Sequence, residues 1–244
     1  APEVPTDERY TAPEWRLAVI GAGVSGFVAM LYEVVWTRML ALSLGSSTHA
    51  FSIMLLIFIS GISAGSWVVT RWRRVHRRLD AFGWAELALA LTLILTVGFY
   101  VKIPHWFAQV ASLLARQPQA YPLYEVAQGL ICFLVMFAPT LCLGMTLPLA
   151  TRAASHDIRH TGRSVGTVFA VNTVGTVLGA ALTGLLLLPA LGLARTFFLG
   201  IALNAALGGF TLCRRWLFPR PALTALLPLA LVAVMIPFGG LVES

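Results

Sequence analysis

Seven apolar stretches dominate this chain, and each is long enough, at roughly 20 residues as a helix, to cross about 30 Å of hydrocarbon. They lie at 17–36, 50–70, 81–101, 126–150, 165–191, 196–213 and 222–241, the fifth long and the sixth short. Over the whole chain 58% of residues are hydrophobic and 11% are charged. A soluble domain carries roughly 45–50% and about 25%. So little polar surface excludes a soluble enzyme. Disordered tails and disulfide scaffolds have the opposite compositions and are excluded too. The three cysteines, Cys132, Cys142 and Cys213, sit inside apolar runs without metal-ligand spacing. The expected fold class is therefore all-α, a polytopic membrane protein with about seven transmembrane helices.

Residues 1–16 form a polar tail without the apolar core of a signal peptide, and 17–244 form one transmembrane domain. Between the third and fourth spans, Ile103, Trp106, Phe107, Val110, Leu113 and Leu114 recur at helical spacing, with His105, Gln109 and Arg116 off that stripe. This pattern predicts an amphipathic helix lying in the interface at about 103–117. Eleven of the 17 basic residues fall in three loops on one side: Arg71, Arg73, Arg74, Arg77 and Arg78; Arg152, Arg159 and Arg163; and Arg214, Arg215 and Arg220. The net charge of +7 thus reads as loop charge and does not suggest a nucleic-acid partner. The positive-inside rule places these loops and the N-terminus in the cytoplasm. Two triplets of helices in opposite orientations also fit an inverted repeat of the kind found in transporters.

Ionisable groups at membrane depth are expensive, so each needs a reason. Glu33 and Arg38 lie towards the outer end of the first span. There Glu33 either holds a cation or proton with Arg38 balancing it, or sits with Tyr32 and Trp36 at the wet interface. Glu86, five residues into the third span, reads as a side chain that snorkels to the cytoplasmic face. Glu125 reads as solvated at the outer face. Asn204 lies near the centre of the sixth span between Gly200 and Gly208. Asn172, Gly175, Thr176, Gly179 and Thr183 form a similar stripe on the fifth, and Ser60, Gly61, Ala64 and Gly65 on the second. Such small-residue faces read first as helix-packing surfaces, built on Gly61, Gly65, Gly175, Gly179, Gly200 and Gly208, and second as the lining of a substrate cavity. In FLVMFAPTLCLGMTLPLA, Pro139, Thr140, Gly144 and Pro148 mark either a plain kink or a break whose freed carbonyls face a cavity. No histidine has a partner at metal-binding spacing, and no catalytic residue is identified.

The segments GFVAMLYEVVWTRMLALSLGSSTHAFSIMLLIFISGISAGS, APTLCLGMTLPLATRA and VGTVFAVNTVGTVLGAALTGLLLLPALGL resemble the membrane domain of bacterial spermidine synthase-like membrane proteins, also described as fused major facilitator/spermidine synthase proteins. The resemblance covers roughly residues 20–215. It implies a multi-helix domain of the bacterial inner membrane, fused ahead of an aminopropyltransferase domain that binds decarboxylated S-adenosylmethionine. This chain ends at VMIPFGGLVES, about where that domain would begin. Gly21, Gly23 and Gly26 spell G-x-G-x-x-G, but inside an apolar helix with no preceding strand, so no nucleotide site is implied. No cofactor is expected in this chain, and no aminopropyltransferase residue carries over. Two functions stand as expectations. One is a membrane domain that binds or conducts a small cationic, polyamine-like substrate, with Glu33, Arg38, Asn172, Asn204 and Thr140 as site residues. The other is an accessory subunit docked to a larger inner-membrane complex through its small-residue faces. A homodimer built on Gly175/Gly179 or Gly61/Gly65 is a third arrangement.

Overall fold

In the computed structural model residues 12–44, 48–72, 78–114, 121–155 and 161–217 are described, and all regular structure among them is helical. A bilayer core offers no water to backbone N–H and C=O groups, so an apolar spanning segment satisfies them within its own helix. The order is α1 (Ala12–Leu44), α2 (Thr48–Arg71), α3 (Arg78–Leu114), α4 (Tyr121–Ala154) and α5 (Thr161–Leu182). A π-helical turn (Thr183–Leu187) then leads directly into α6 (Leu188–Leu217). Five helices among the described residues are long and apolar enough to cross a membrane: Glu14–Ala41, Phe51–Arg71, Leu79–Phe99, Glu125–Ala154 and Gly162–Arg214.

The apolar runs predict seven spans, and the difference has two sources. The last expected span, 222–241, lies outside the described residues. The fifth and sixth form one helical run of 53 residues, which doubles back at Gly192. That residue has φ 77° and ψ 175°, a backbone region essentially closed to residues with a Cβ. Before it, Gly175 and Gly179 abut Gly23 and Phe27, so α5 runs parallel to α1. After it, Gly200 abuts Tyr32 and Arg214 reaches Glu14, so α6 returns antiparallel. The described residues therefore traverse the bundle six times within these five helical runs. The separate interfacial helix expected at about 103–117 is likewise corrected. Residues 103–114 continue α3 without a break, and Pro104 does not end it. At 1.5 Å per residue the 37 residues of α3 reach about 55 Å, far beyond a bilayer core of about 30 Å. The shift from apolar to amphipathic pattern marks a change of surroundings along one helix.

Lipid supplies no hydrophobic drive between helices, so close backbone approach and polar contacts must hold them together. The closest approaches are at glycines. A Cβ added at Gly61 would overlap Thr140, one at Gly65 the Leu141 carbonyl, and one at Gly144 the Ile62 backbone, which presses α2 onto α4. Cβ atoms at Gly175 and Gly179 would strike the carbonyls of Gly23 and Phe27, which presses α5 onto α1. Gly83 and Gly208 do the same for α3 and α6. Outward faces carry large apolar side chains such as Leu56, Trp67, Leu95, Leu134 and Leu185, as a lipid-facing surface does.

One end of the bundle is tied by charge. Arg214 of α6 donates from Nη1 to Asp80 of α3 at 2.8 Å and from Nη2 to Glu14 of α1 at 3.2 Å. At the same end Arg152 of α4 donates to the Trp72 carbonyl at 3.1 Å, and Arg71 lies over the Trp67 ring. The packing also has an internal correspondence. Exchanging α1 with α4, α2 with α5 and α3 with α6 turns the α1–α5 contact into α4–α2, α1–α6 into α4–α3 and α1–α2 into α4–α5. The α1–α4 and α3–α6 contacts map onto themselves. A minor α1–α3 contact is the exception. The two triplets traverse the bundle in opposite directions, an arrangement of the kind that inverted-repeat transporters have.

Gly65→Leu should destabilise the folded bundle by about 1–3 kcal/mol or more, the range for overpacking. Gly98→Leu, where nothing lies within 4 Å of an added Cβ, should leave it unchanged; thermal unfolding in detergent with size-exclusion detection compares them. Arg214→Leu leaves two part-buried carboxylates without their partner and should cost about 1–3 kcal/mol in the same assay.

Candidate functional site

α4 contains two prolines and stays helical throughout. Pro148 has no N–H, so the carbonyl four residues earlier, that of Gly144, loses its intrahelical donor. Ser66 of α2 replaces it, its hydroxyl donating to the Gly144 carbonyl at 2.9 Å. This repair is possible because Gly65 and Gly144 let the two backbones meet. The sequence allows a kink or a carbonyl open to a cation. The structure shows a carbonyl already taken by a neighbouring helix.

Beside this repair lies a cavity of about 650 Å³ between α1, α2, α4 and α5. Met30, Phe58, Ile62, Leu143, Leu147 and Phe169 make most of its wall. Polar groups come from all four helices: Ser25 of α1, Ser66 of α2, Thr146, Thr151 and Arg152 of α4, and Asn172 and Thr176 of α5. Among the described residues Arg152 carries the lining's charge, and no carboxylate lines the cavity. The Asn172 side chain lies against Gly26, where a Cβ would meet its Oδ1 at 2.7 Å. Inside the wall, Thr146 donates to its own helix at the Leu143 carbonyl, 2.8 Å away. It also accepts from Ser25 Oγ at 2.8 Å.

Ser25 has a second neighbour, the carboxyl of Glu86 on α3. Glu86 is 0% exposed, and neither carboxyl oxygen receives a hydrogen bond. Its reading as a side chain snorkelling to the cytoplasmic face is therefore corrected. It lies six residues past Asp80, about 9 Å deeper along the helix, on the face shared by Leu79, Phe82, Leu89 and Leu93, which are also 0% exposed. Snorkelling requires a side chain that points outward or along the surface. Helical geometry turns this one inward.

The five expected site residues are not brought together. Asn172 lines the cavity. Thr140 faces Gly61 across the α2–α4 contact and donates to its own helix at the Met136 and Phe137 carbonyls, 2.9 and 3.0 Å away. Asn204 is buried elsewhere, between α6 and α1, with Nδ2 donating to Tyr32 Oη at 2.9 Å and Oδ1 unpartnered. Glu33 is only half-buried, Arg38 is exposed, and no ion pair joins them among the described residues. Tyr32 and Trp36 turn inward instead, 0% exposed with ring centroids 5.7 Å apart, and so are not an aromatic belt. Ser25, Ser66, Thr146 and Glu86 do not stand out as site residues in the sequence, because small hydroxyls are ordinary in apolar helices. Only Glu86 gives a signal, its place on the most apolar face of α3. No group of three His, Cys, Asp or Glu residues that could hold a metal ion occurs among the described residues.

Comparison with protein families, curated proteins and solved structures returns no match for this chain.

Ser66→Ala leaves the Gly144 carbonyl without a donor. The variant should lose on the order of 1 kcal/mol of stability, and Ser66→Thr should restore part of it. Unfolding of the two variants in mixed detergent micelles reads the difference.

Proposed function

We propose that the chain is a solute-binding membrane domain, of the kind implied by its resemblance to the membrane domain of spermidine synthase-like proteins, and that the α1/α2/α4/α5 cavity is its binding site. The observation that carries this reading is the position of the cavity. Two of its helices come from each half of the inverted correspondence, and carriers built on inverted repeats hold substrate at the interface between the halves. By the positive-inside rule the basic end, with Arg152 at the cavity, faces the cytoplasm of a bacterial inner membrane.

The lining selects the class of solute. An arginine, five hydroxyls, an amide and a largely apolar wall suit a small amphiphile with an anionic head. Among the described residues a polyamine finds no carboxylate there, so the proposed substrate moves from the cationic one expected at Glu33 to an anionic one at Arg152. The accessory-subunit reading is weaker for a different reason. Gly61, Gly65, Gly175, Gly179, Gly200 and Gly208 all face other helices of this same chain, so these glycine faces are already occupied.

Thermal unfolding of the purified protein with added short-chain alkyl phosphates and, separately, spermidine tests this. An alkyl phosphate at 100 times its Kd should stabilise the fold by about 2.7 kcal/mol. Arg152→Gln should abolish the shift, while spermidine should produce none. Stabilisation by spermidine that survives Arg152→Gln would return the polyamine substrate.

A further inference from the structure

Glu86 poses a question that the cavity alone does not answer. Its carboxyl is completely enclosed, and no ion pair reaches it among the described residues. An unpaired charge in such surroundings is too costly to keep. Four charged groups at the basic end of the helices around it are engaged elsewhere, while Arg16 and Arg38 of α1 are exposed and Glu33 lies at the other end of that helix. Glu14 of α1, Asp80 of α3 and Arg214 of α6 form their own cluster at the basic end. Arg152 of α4 lines the cavity and donates to the Trp72 carbonyl.

The hydroxyls beside Glu86 form a short chain of donors and acceptors. Thr146 has a single proton and gives it to the Leu143 carbonyl. Ser25 must then give its own proton to Thr146. In that arrangement Ser25 offers Glu86 a lone pair, which a protonated carboxyl can use as acceptor and a carboxylate cannot. The full enclosure of the carboxyl, with no hydrogen bond to either oxygen, is what favours the protonated form. A metal cation is a poor substitute, because one carboxyl and one hydroxyl fall far short of its usual set of oxygen ligands.

We propose that Glu86 is a proton-binding site that exchanges its proton with the cavity through Ser25. Ser25 is the link because it borders both, lying beside the carboxyl on one side and lining the cavity on the other. The carboxyl O–H breaks as its proton bonds to the Ser25 oxygen, and the Ser25 proton passes to Thr146. The Thr146 proton leaves the Leu143 carbonyl for a water or the solute in the cavity that Thr146 also lines; return runs the same chain in reverse. Binding of a proton at one site and an anionic solute at the other, one hydroxyl apart, would couple the two. The coupling rests on the solute-binding reading above; the proton site does not.

Infrared spectra of the full chain reconstituted in lipid at neutral pH test this without any ligand. The wild type should show a protonated-carboxyl C=O band that shifts in D2O. Glu86→Gln should lose that band, and Glu33→Gln should keep it. Ser25→Ala should keep the band and slow its shift. Absence of the band in the wild type, or its persistence in Glu86→Gln, overturns the proton site; an exchange rate unchanged by Ser25→Ala overturns the route. If Glu86→Gln does not fold, wild-type protein with carbon-isotope-labelled glutamate decides instead, since the band must then move with the label. Because the readout needs no solute, a cavity that binds no alkyl phosphate leaves this result standing, and a missing band leaves the cavity result standing.

Discussion

Everything in this bundle depends on how closely its backbones approach at glycine. In water, apolar faces are pressed together by the solvent, but in lipid that pressure is absent and contact distance matters more. The α2–α4 approach at Gly61, Gly65 and Gly144 has a direct structural consequence. It brings Ser66 within reach of the carbonyl that Pro148 leaves without a donor, so a proline is accommodated inside a spanning helix without ending it. The α1–α5 approach at Gly23, Gly175 and Gly179 places Asn172 against Gly26. The cavity opens between these two pairs.

The cavity and the buried carboxyl are linked by the same scarcity of polar groups. Membrane helices carry few free donors, and around Ser25 each one is committed: Thr146 to Leu143, and Ser25 to Thr146. Arg214, by contrast, meets two carboxylates near the end of the bundle. Charges there are paired, while Glu86 is enclosed with no ion pair among the described residues.

Much of the fold was legible in the sequence. The apolar runs announced helices, since nothing else unsupported survives in lipid, and the lengths of the first four located the spans closely. The six glycines and their spacing were visible as small-residue faces. Less legible were the ends and turns. Gly192 looked like any loop glycine, although its backbone angles reverse the chain inside one 53-residue helical run. The amphipathic stretch after residue 102 gave a true pattern, but periodicity reports the surroundings of a helix and not where it stops. At the site, Asn172 was legible and Glu33 misleading. A carboxylate in a distinctive motif is conspicuous, while Glu86, near a helix end, looks harmless.

The sequence alone determined that this is a helical membrane protein, because composition and run length decide which solvent a chain can bury itself in. It also determined where basic residues concentrate and which helix faces are smooth enough for close approach. Tertiary structure decided which smooth face meets which, since glycine stripes carry no address. It thereby decided that Ser66 repairs Pro148, that Ser25 stands between a cavity and a carboxyl, and that Glu86 has no exit to water. Those are relations between helices far apart in the chain, and the side chains involved are too small and too ordinary to declare them in advance.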